Sequence, residues 1–296
     1  MSTLRINNIT SKDGNRGPVI SGIATVSSTS HMVVPSGNTG QRITLPSSEE
    51  KIVTDGLIAL FDAGRPESFG GDTSLLWKDI SGNGNHARLE SGSAAWSPEN
   101  GGTINFAAST RFLMDCGSKG FTWGLNGNYS ELTVEALYMV PSTANRIHLW
   151  QFGNANDSHL SMNLNDGRAI WVYYEGNGSP YHGFGGTDGA YTDGAIRHLT
   201  YTYNLYEFNG SDTLGRWNVY MNGSSVSGLT HSGTQQFSNI IGGNGSEKRV
   251  FSIGDGTGGG IGVPVNTNFY KVAVYTKELT SAQVLQNYNA IKYRYS

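Results

Sequence analysis

The chain has 296 residues, with 20 lysines and arginines against 23 aspartates and glutamates, and a formal net charge of −3. Only 15% of the residues are charged and no basic stripe occurs, which argues against nucleic-acid binding. No apolar run is long enough to cross a bilayer, and the start MSTLRINNITSKDG lacks the apolar core of a secretory signal. We therefore expect a protein that is made in a cytoplasm and does not insert into membranes.

Glycine is abundant, at 41 residues, and often follows asparagine or aspartate. Such pairs occur at 126–127, 166–167, 177–178 and 222–223, and they favour tight hairpin turns. The one cysteine, Cys116, cannot form an internal disulfide, and we expect it in the core. Many tight turns with little helical periodicity indicate an all-β protein.

The first part of the chain, residues 1–48, is rich in Ser, Thr, Gly and β-branched residues. Strands are predicted at 19–26 and 31–34, with turns at 13–14 and 35–40. A segment this short cannot bury a core alone, so we expect it to dock on something larger. Residues 49–54 are predicted to link this arm to a domain at 55–296.

The large domain shows the alternation of half-buried strands. In TVEALYMV, for example, Val134, Ala136, Tyr138 and Val140 share one face. Strands are predicted around 58–62, 103–106, 132–140, 148–152, 159–164, 169–174, 197–203, 217–221, 249–253 and 269–275, and a further one at FLMDCG.

The end of the chain predicts a strand followed by one short helix. Thr280 is placed as an N-cap and Gln283 follows at the spacing of a capping box. Leu279 and Val284 have the spacing of a hydrophobic staple. The helix has one predicted apolar face, formed by Val284, Tyr288 and Ile291.

Three segments carry a resemblance to a known family. They are GLIALFDAG followed by LLWKDISGNGNHARL, the hairpin WNVYMNGSSVSG, and the ending at 272–288. In this order they resemble laminin-G-like domains of the concanavalin A-like lectin/glucanase superfamily, over residues 55–295. The resemblance implies a jelly-roll sandwich of two antiparallel sheets with one short C-terminal helix. Because that family contains lectins, adhesion modules, enzymes and spacers, fold alone does not give function.

A second resemblance lies in residues 9–40, in the text GPVISGIATV and TSHMVVPSGNTG. It is similar to the N-terminal segment of virion structural proteins of tailed phages, particularly those infecting marine cyanobacteria. This implies a β-rich arm that docks on the particle beside other virion proteins. The implied docking residues are Val19, Ile20, Ile23, Val26, His31, Val33 and Val34.

An enzymatic interpretation starts from the acids Glu131 and Glu135, two carboxylates on one strand face. The E-x-D-x-x-E pattern of the related glucanases is missing, as are a G-x-S-x-G elbow and metal-ligand spacings of histidine. We expect both acids to face solvent, His198 to be structural, and the protein not to be an enzyme.

Calcium is the one cofactor that the sequence suggests. Related domains hold Ca²⁺ at the sandwich rim, and calcium takes six to eight oxygen ligands. The candidate ligands are Asp62, Asp79, Asn83 and Asp255. The alternative is that these are ordinary turn residues, with His86 hydrogen-bonded locally in the same turn.

Residues 171–191, WVYYEGNGSPYHGFGGTDGAY, are dense in aromatic side chains and long for a hairpin connection. They predict either a glycan-binding surface or a subunit interface, and the sequence does not separate the two. The candidate residues are Trp171, Tyr173, Tyr174, Tyr181, His182, Phe184 and Tyr191.

These observations favour a non-enzymatic phage protein made in the host cytoplasm: a tail-fibre or baseplate appendage that touches host-surface glycans. A homo-oligomer, with a trimer favoured, is expected for a fibre. The alternative is a capsid decoration or cement protein whose sandwich projects from the head. A glycan hydrolase is the third hypothesis and the least favoured.

Overall fold

The computed structural model of this chain describes residues 31–36, 39–44, 51–69, 76–116, 121, 123, 128–141, 146–153, 159–165, 169–175, 183–185, 194–205, 216–227, 230–232, 250–254 and 266–294. The chain divides into two compact units, Met1–Lys51 and Ile52–Ser296.

The first unit contains an antiparallel hairpin of β1 (His31–Ser36) and β2 (Thr39–Thr44). It confirms the strand predicted at 31–34. The turn predicted at 35–40 is wrong in extent, because Ser36 pairs with Thr39 and only two residues connect the strands. Two-residue connections are the commonest in hairpins, and they let both strands pair to their ends. The strand predicted at 19–26 lies outside the described residues.

The second unit is a two-layer antiparallel sandwich. Its strands are β3 (Leu57–Asp62), β4 (Leu76–Trp77), β5 (Ala87–Ser91), β6 (Ala94–Ser97), β7 (Thr103–Phe106), β8 (Arg111–Asp115), β9 (Glu131–Met139), β10 (Arg146–Phe152), β11 (His159–Asn165), β12 (Ala169–Glu175), β13 (Gly183–Gly185), β14 (Ile196–Asn204), β15 (Arg216–Met221), β16 (Ser224–Ser225), β17 (Thr230–Ser232), β18 (Val250–Gly254) and β19 (Thr267–Tyr275). The helix α1 (Ser281–Ile291) follows, and short 3-10 turns lie at Glu99–Gly101 and Lys292–Arg294.

One sheet has eight strands in the order β16-β15-β14-β9-β19-β7-β6, with β3 also paired to β19. The other has seven strands in the order β12-β11-β10-β18-β8-β5-β4, and β13 pairs separately with β17. This is the all-β jelly-roll arrangement of two antiparallel sheets with one short C-terminal helix, as predicted. The predicted main strands are all present, and the additional ones (β4, β5, β6, β13, β16, β17) are short, with two to five residues each.

Aromatic side chains from the two sheets meet in the core. Trp77 lies 5.6 Å from Phe61 and 5.8 Å from Phe112 between ring centroids. Trp150 lies 5.8 Å from Tyr201 of the opposite sheet. Cys116 is buried in the same core, as predicted, and burial raises the pKa of its thiol well above the usual range. Such large rings supply much of the buried apolar area that holds a sandwich together.

Strand β9 is buried on both faces, which corrects the expectation of half-buried strands. Val134 and its alternate neighbours lie in the core, as predicted. The opposite face is covered by α1, since Leu137 packs with Ile291 and Tyr275 of β19 packs with Val284. The sequence pattern predicted the helix but not the surface on which it packs.

The start of α1 is as predicted. The Thr280 hydroxyl accepts from the Gln283 N–H at 3.3 Å, and the Gln283 side chain accepts from the Thr280 N–H at 2.9 Å. Leu279 and Val284 lie in one apolar cluster, consistent with the staple.

The turn at 222–223 is also as predicted, because Asn222 has φ 51° and Gly223 has φ 78°, the two positive values that a type I′ hairpin requires. Within the described residues, no helix is long and apolar enough to span a bilayer.

Candidate functional site

The turn after β4 is organised by one carboxylate, that of Asp79. Its Oδ1 accepts from the backbone N–H groups of Leu60 and Ser81, both at 2.8 Å. Its Oδ2 accepts from the Ser81 hydroxyl and the Asn85 N–H, both at 2.9 Å. The Asp79 N–H in turn donates to His86 Nδ1 at 3.0 Å, the local bond expected for that histidine. A carboxylate offers about four acceptor positions, and four donors occupy them here.

The other calcium candidates are also engaged or lie elsewhere. Asn83 Nδ2 donates to the Leu57 carbonyl at 3.0 Å, and Asp62 Oδ1 accepts from the Gly64 N–H at 3.0 Å. Asp255 lies outside the described residues. Among the residues that the structure describes, no three His, Cys, Asp or Glu side chains are grouped to hold a metal ion. Calcium stays a prediction, and Asp79 could bind it only by giving up hydrogen bonds.

The aromatic candidates begin on β12, the terminal strand of the seven-stranded sheet. In the register of β11 and β12, Trp171 is paired with Asn163, and Tyr173 with Ser161. Tyr174 is paired with Leu160, while Phe184 lies on β13 opposite His231. Tyr181, His182 and Tyr191 lie outside the described residues.

Beside β12, the face of this sheet that points away from the core carries polar residues. Gln151 is paired with Ser161 on one side and Ser252 on the other, whereas its neighbours Trp150 and Phe152 pack in the core. Because side chains alternate along a strand, the paired polar residues share the opposite face. This polar row consists of His148, Gln151, Ser161, Asn163 and Ser252, all of them buried.

Asn163 leaves one strong acceptor of the polar row unsatisfied. Its Nδ2 donates to Ser161 Oγ at 3.0 Å. Its Oδ1 is buried and has no hydrogen-bond partner among the residues that the structure describes, and the residue is 1% exposed. Buried acceptors almost always receive a donor, so this atom is suited to a water molecule or a ligand hydroxyl.

The polar row was not predicted from the sequence. A pattern that indicates part of it is present in HLSMNLN, where Ser161 and Asn163 alternate with Leu160, Met162 and Leu164. Such alternation normally indicates a solvated face. Only the assembled sheet shows that these polar residues are buried.

The expectation that the acids of β9 face solvent is wrong for Glu135. This residue is 1% exposed and lies beneath α1, where both carboxylate oxygens accept from Asn287 Nδ2 at 3.0 Å. Burial raises the pKa of the Glu135 carboxyl, while the nearby Lys271 cation and the Asn287 hydrogen bond lower it. Glu131 lies at the sheet end, where its carboxylate accepts from the Glu278 N–H at 3.0 Å.

His198 is next to this carboxylate, with Nε2 3.9 Å from Glu135 Oε1. Its ring stacks on Tyr288 of α1 at 6.0 Å between centroids. Burial, and secondarily Lys271, lowers the pKa of His198 from 6.5 to about 3, so the ring is neutral at ordinary pH. The helix thus covers a polar cluster of Glu135, His198 and Lys271.

The docking candidates of the arm are placed only in part. His31, Val33 and Val34 lie on β1, where they are paired with Thr44, Arg42 and Gln41. The remaining docking candidates, Val19, Ile20, Ile23 and Val26, lie outside the described residues.

The architecture defines a β-sandwich protein of two antiparallel sheets. Neither a protein-family model nor a curated protein sequence matches the chain. Among solved structures, it is similar to the receptor-binding domain of botulinum neurotoxin C/D mosaic serotype, with TM-score 0.56 and 12% identity over 80% of this chain and 51% of that one.

Two further similar structures are described as complexes. The binding domain of botulinum neurotoxin DC in complex with SialylT has TM-score 0.54 and 11% identity over 81% of this chain and 52% of that one. Trypanosoma rangeli sialidase in complex with sialic acid has TM-score 0.53 and 13% identity over 81% of this chain and 33% of that one. This chain thus spans about half or a third of these structures. At such identity the likeness shows the fold.

Proposed function

We propose that this protein is a non-enzymatic carbohydrate-binding component of a phage particle, most simply a tail-fibre or baseplate appendage. The observation that carries the proposal is the position of β12. This strand bears Trp171 and Tyr173, terminates its sheet, and is paired with the polar positions Asn163 and Ser161. Aromatic residues on a strand at the sheet margin, in register with amide- and hydroxyl-bearing residues, match a sugar's apolar face and its hydroxyls.

Two of the similar structures support a carbohydrate-binding role. The similar structures include a binding domain in complex with SialylT and a sialidase in complex with sialic acid. The same fold therefore occurs in a binding domain and in about a third of the chain of an enzyme. We favour binding because Glu135, one of the two acids from which an enzymatic interpretation starts, is buried beneath α1 and hydrogen-bonded to Asn287. Most enzymes that cleave glycosidic bonds place a pair of carboxyl groups beside the substrate, and sialidases, whose nucleophile is a tyrosine, are an exception.

Support for the virion comes from the arm. Residues 9–40 carry the resemblance to phage structural proteins, and β1 and β2 give this segment an edge that another chain could extend. We propose that the arm docks the protein on other virion proteins and that the sandwich projects, as a homo-oligomer with a trimer favoured. The alternative location is the capsid surface, as a decoration protein.

The test uses labelled full-length protein and cyanobacterial cells, before and after periodate oxidation of their surface glycans. We expect binding to intact cells, its loss after oxidation, and its loss in Tyr173→Ala. Tyr293→Ala is the matched control, because Tyr293 is an exposed tyrosine elsewhere on the domain. Binding that survives oxidation would overturn the carbohydrate role.

The virion role is tested in the same full-length chain with Val33→Asp and Val34→Asp. We expect these variants to bind cells but not to enter particles, and light scattering of the wild type to give the mass of a trimer. Binding to empty heads rather than tails would favour the decoration alternative. Release of reducing sugar ends from the bound glycan would overturn the non-enzymatic assignment.

A further inference from the structure

We infer that Trp96 is a second sugar-stacking position, at the rim of the sandwich and separate from β12; this inference rests on the proposed carbohydrate role. Trp96 lies on β6, the terminal strand of the eight-stranded sheet. It is paired with the core residue Ile104, yet the residue is 40% exposed. In this register the Trp96 side chain lies on the core-facing side of the sheet. Because β6 is the last strand of that sheet, the core ends beside this residue.

The indole of Trp96 is held in one orientation. Its Nε1–H donates to the Ala63 carbonyl at 2.8 Å, across 33 positions of sequence. A ring that is fixed before binding loses little conformational entropy when a ligand stacks on it. The hydrogen bond occupies the polar edge of the indole, so a ligand that stacks on the ring would contact its apolar faces.

The loop after β6 has an unusual backbone conformation. Asn100, Gly101 and Gly102 have consecutive positive φ values of 50°, 77° and 104°. A Cβ added at Gly102 would lie 2.5 Å from the Ala63 carbonyl oxygen and 2.4 Å from Gly64 Cα. The same carbonyl that fixes the indole therefore also meets this loop, with no side chain between them. Such backbone conformations persist where the surrounding structure demands them, often at functional sites.

Polar groups for sugar hydroxyls are present on both loops. Arg65 and Glu67, each 58% exposed, follow Ala63, and Glu99 is exposed three residues after Trp96. Arg65 Nε lies 3.5 Å from Glu67 Oε1, so the arginine's charge is already matched. A neutral pyranose with one apolar face is thus the ligand class that these groups fit, rather than an acidic sugar.

The test measures binding of the full-length protein to neutral and acidic oligosaccharides released from the envelope of cyanobacterial cells. We expect Trp96→Ala to weaken binding of the neutral fraction about tenfold, as for loss of a central aromatic contact. Trp96→Phe keeps a ring without the hydrogen bond, and we expect it to retain part of the affinity. Leu285→Ala, which removes another exposed apolar side chain, is the control.

A direct readout is the indole ¹⁵N–H resonance of Trp96, assigned by its disappearance in Trp96→Phe. We expect the neutral fraction to shift it. Wild-type affinity in Trp96→Ala, or a resonance that does not move while Tyr173→Ala abolishes binding, would overturn this inference and leave the proposed function standing. Absence of any glycan binding by the wild type would overturn both.

Discussion

The amide of Asn287 and the carboxylate of Glu135 form a buried contact between the helix and the sheet it covers. Asn287 is 0% exposed, and its Nδ2 lies 3.0 Å from both Glu135 oxygens and from Tyr275 Oη. Its Oδ1 accepts from the Val53 N–H at 2.7 Å. One side chain thus joins α1, two strands and the start of the domain. A buried carboxylate is tolerated only with such partners.

Asn287→Ala should therefore destabilise the protein strongly. The substitution leaves the Glu135 carboxylate and the Val53 N–H buried without this partner. We expect a loss of about 2–4 kcal/mol in the free energy of unfolding, measured by urea denaturation. Asn289→Ala, on the same helix but less buried, is the control and should change little. Equal effects of the two substitutions would contradict the structural role of Asn287.

His198 should make the protein less stable in acid. Its pKa is lowered to about 3 in the folded state, against 6.5 ordinarily, so the unfolded chain takes up this proton at higher pH. Its contribution to stability is thus present above pH 6.5 and is lost as the pH falls toward 3. We expect His198→Gln to reduce this dependence, measured as unfolding midpoint against pH. If the decrease in unfolding midpoint at low pH is the same in the variant and the wild type, other groups cause it.

Glu135 should act in the opposite direction. Burial raises its pKa above the ordinary 4.5, so the folded state holds this proton to higher pH than the unfolded chain. Its contribution to stability is present below 4.5 and is lost as the pH rises through the raised value. Glu135→Gln should remove the loss of stability at rising pH, measured as the unfolding midpoint at pH values above 4.5. If the variant and the wild type show the same pH dependence there, Lys271 keeps the carboxylate ionised throughout.

Gly102→Ala should be far more damaging than Gly82→Ala. Both residues have positive φ, 104° and 96°, but a Cβ at Gly102 would meet backbone atoms at 2.4 Å, whereas one at Gly82 meets nothing within 4 Å. We expect a loss of more than about 2 kcal/mol for Gly102→Ala, from strain and overlap together, and about 1 kcal/mol for Gly82→Ala, from strain alone. Thermal melts of both variants compare them directly, and similar losses would mean that the loop relaxes.

Asp79→Asn tests whether that carboxylate is a turn residue or a metal ligand. Asparagine replaces one acceptor oxygen by a donor, which faces donors already in place, and we expect a loss of about 1–3 kcal/mol. If Asp79 is a turn residue, Asp79→Asn should lower the free energy of unfolding by the same amount in calcium and in chelator. A calcium-dependent rise in the wild-type melting temperature that Asp79→Asn removes would establish the metal site instead.

The sequence by itself determined the elements with local causes. Alternation in TVEALYMV predicted a strand around 132–140, which is β9, because a strand shows a period of two wherever one face is apolar. The strand predicted at 269–275 is β19. Thr280 and Gln283 predicted where α1 begins, since a capping box satisfies backbone donors within four residues. Asn222 and Gly223 predicted their turn because few residues accept positive φ.

Only the tertiary structure decided what the polar residues do. Glu135 appears in sequence as a solvated acid, and Asn163 as an ordinary polar position of an alternating strand. The first is buried because α1, some 150 residues later, folds onto β9. The second is 1% exposed although it lies on the face of its sheet that points away from the core. Trp96 looks like any core tryptophan until the sheet is seen to end at β6. Burial depends on contacts between distant segments, which no local pattern encodes.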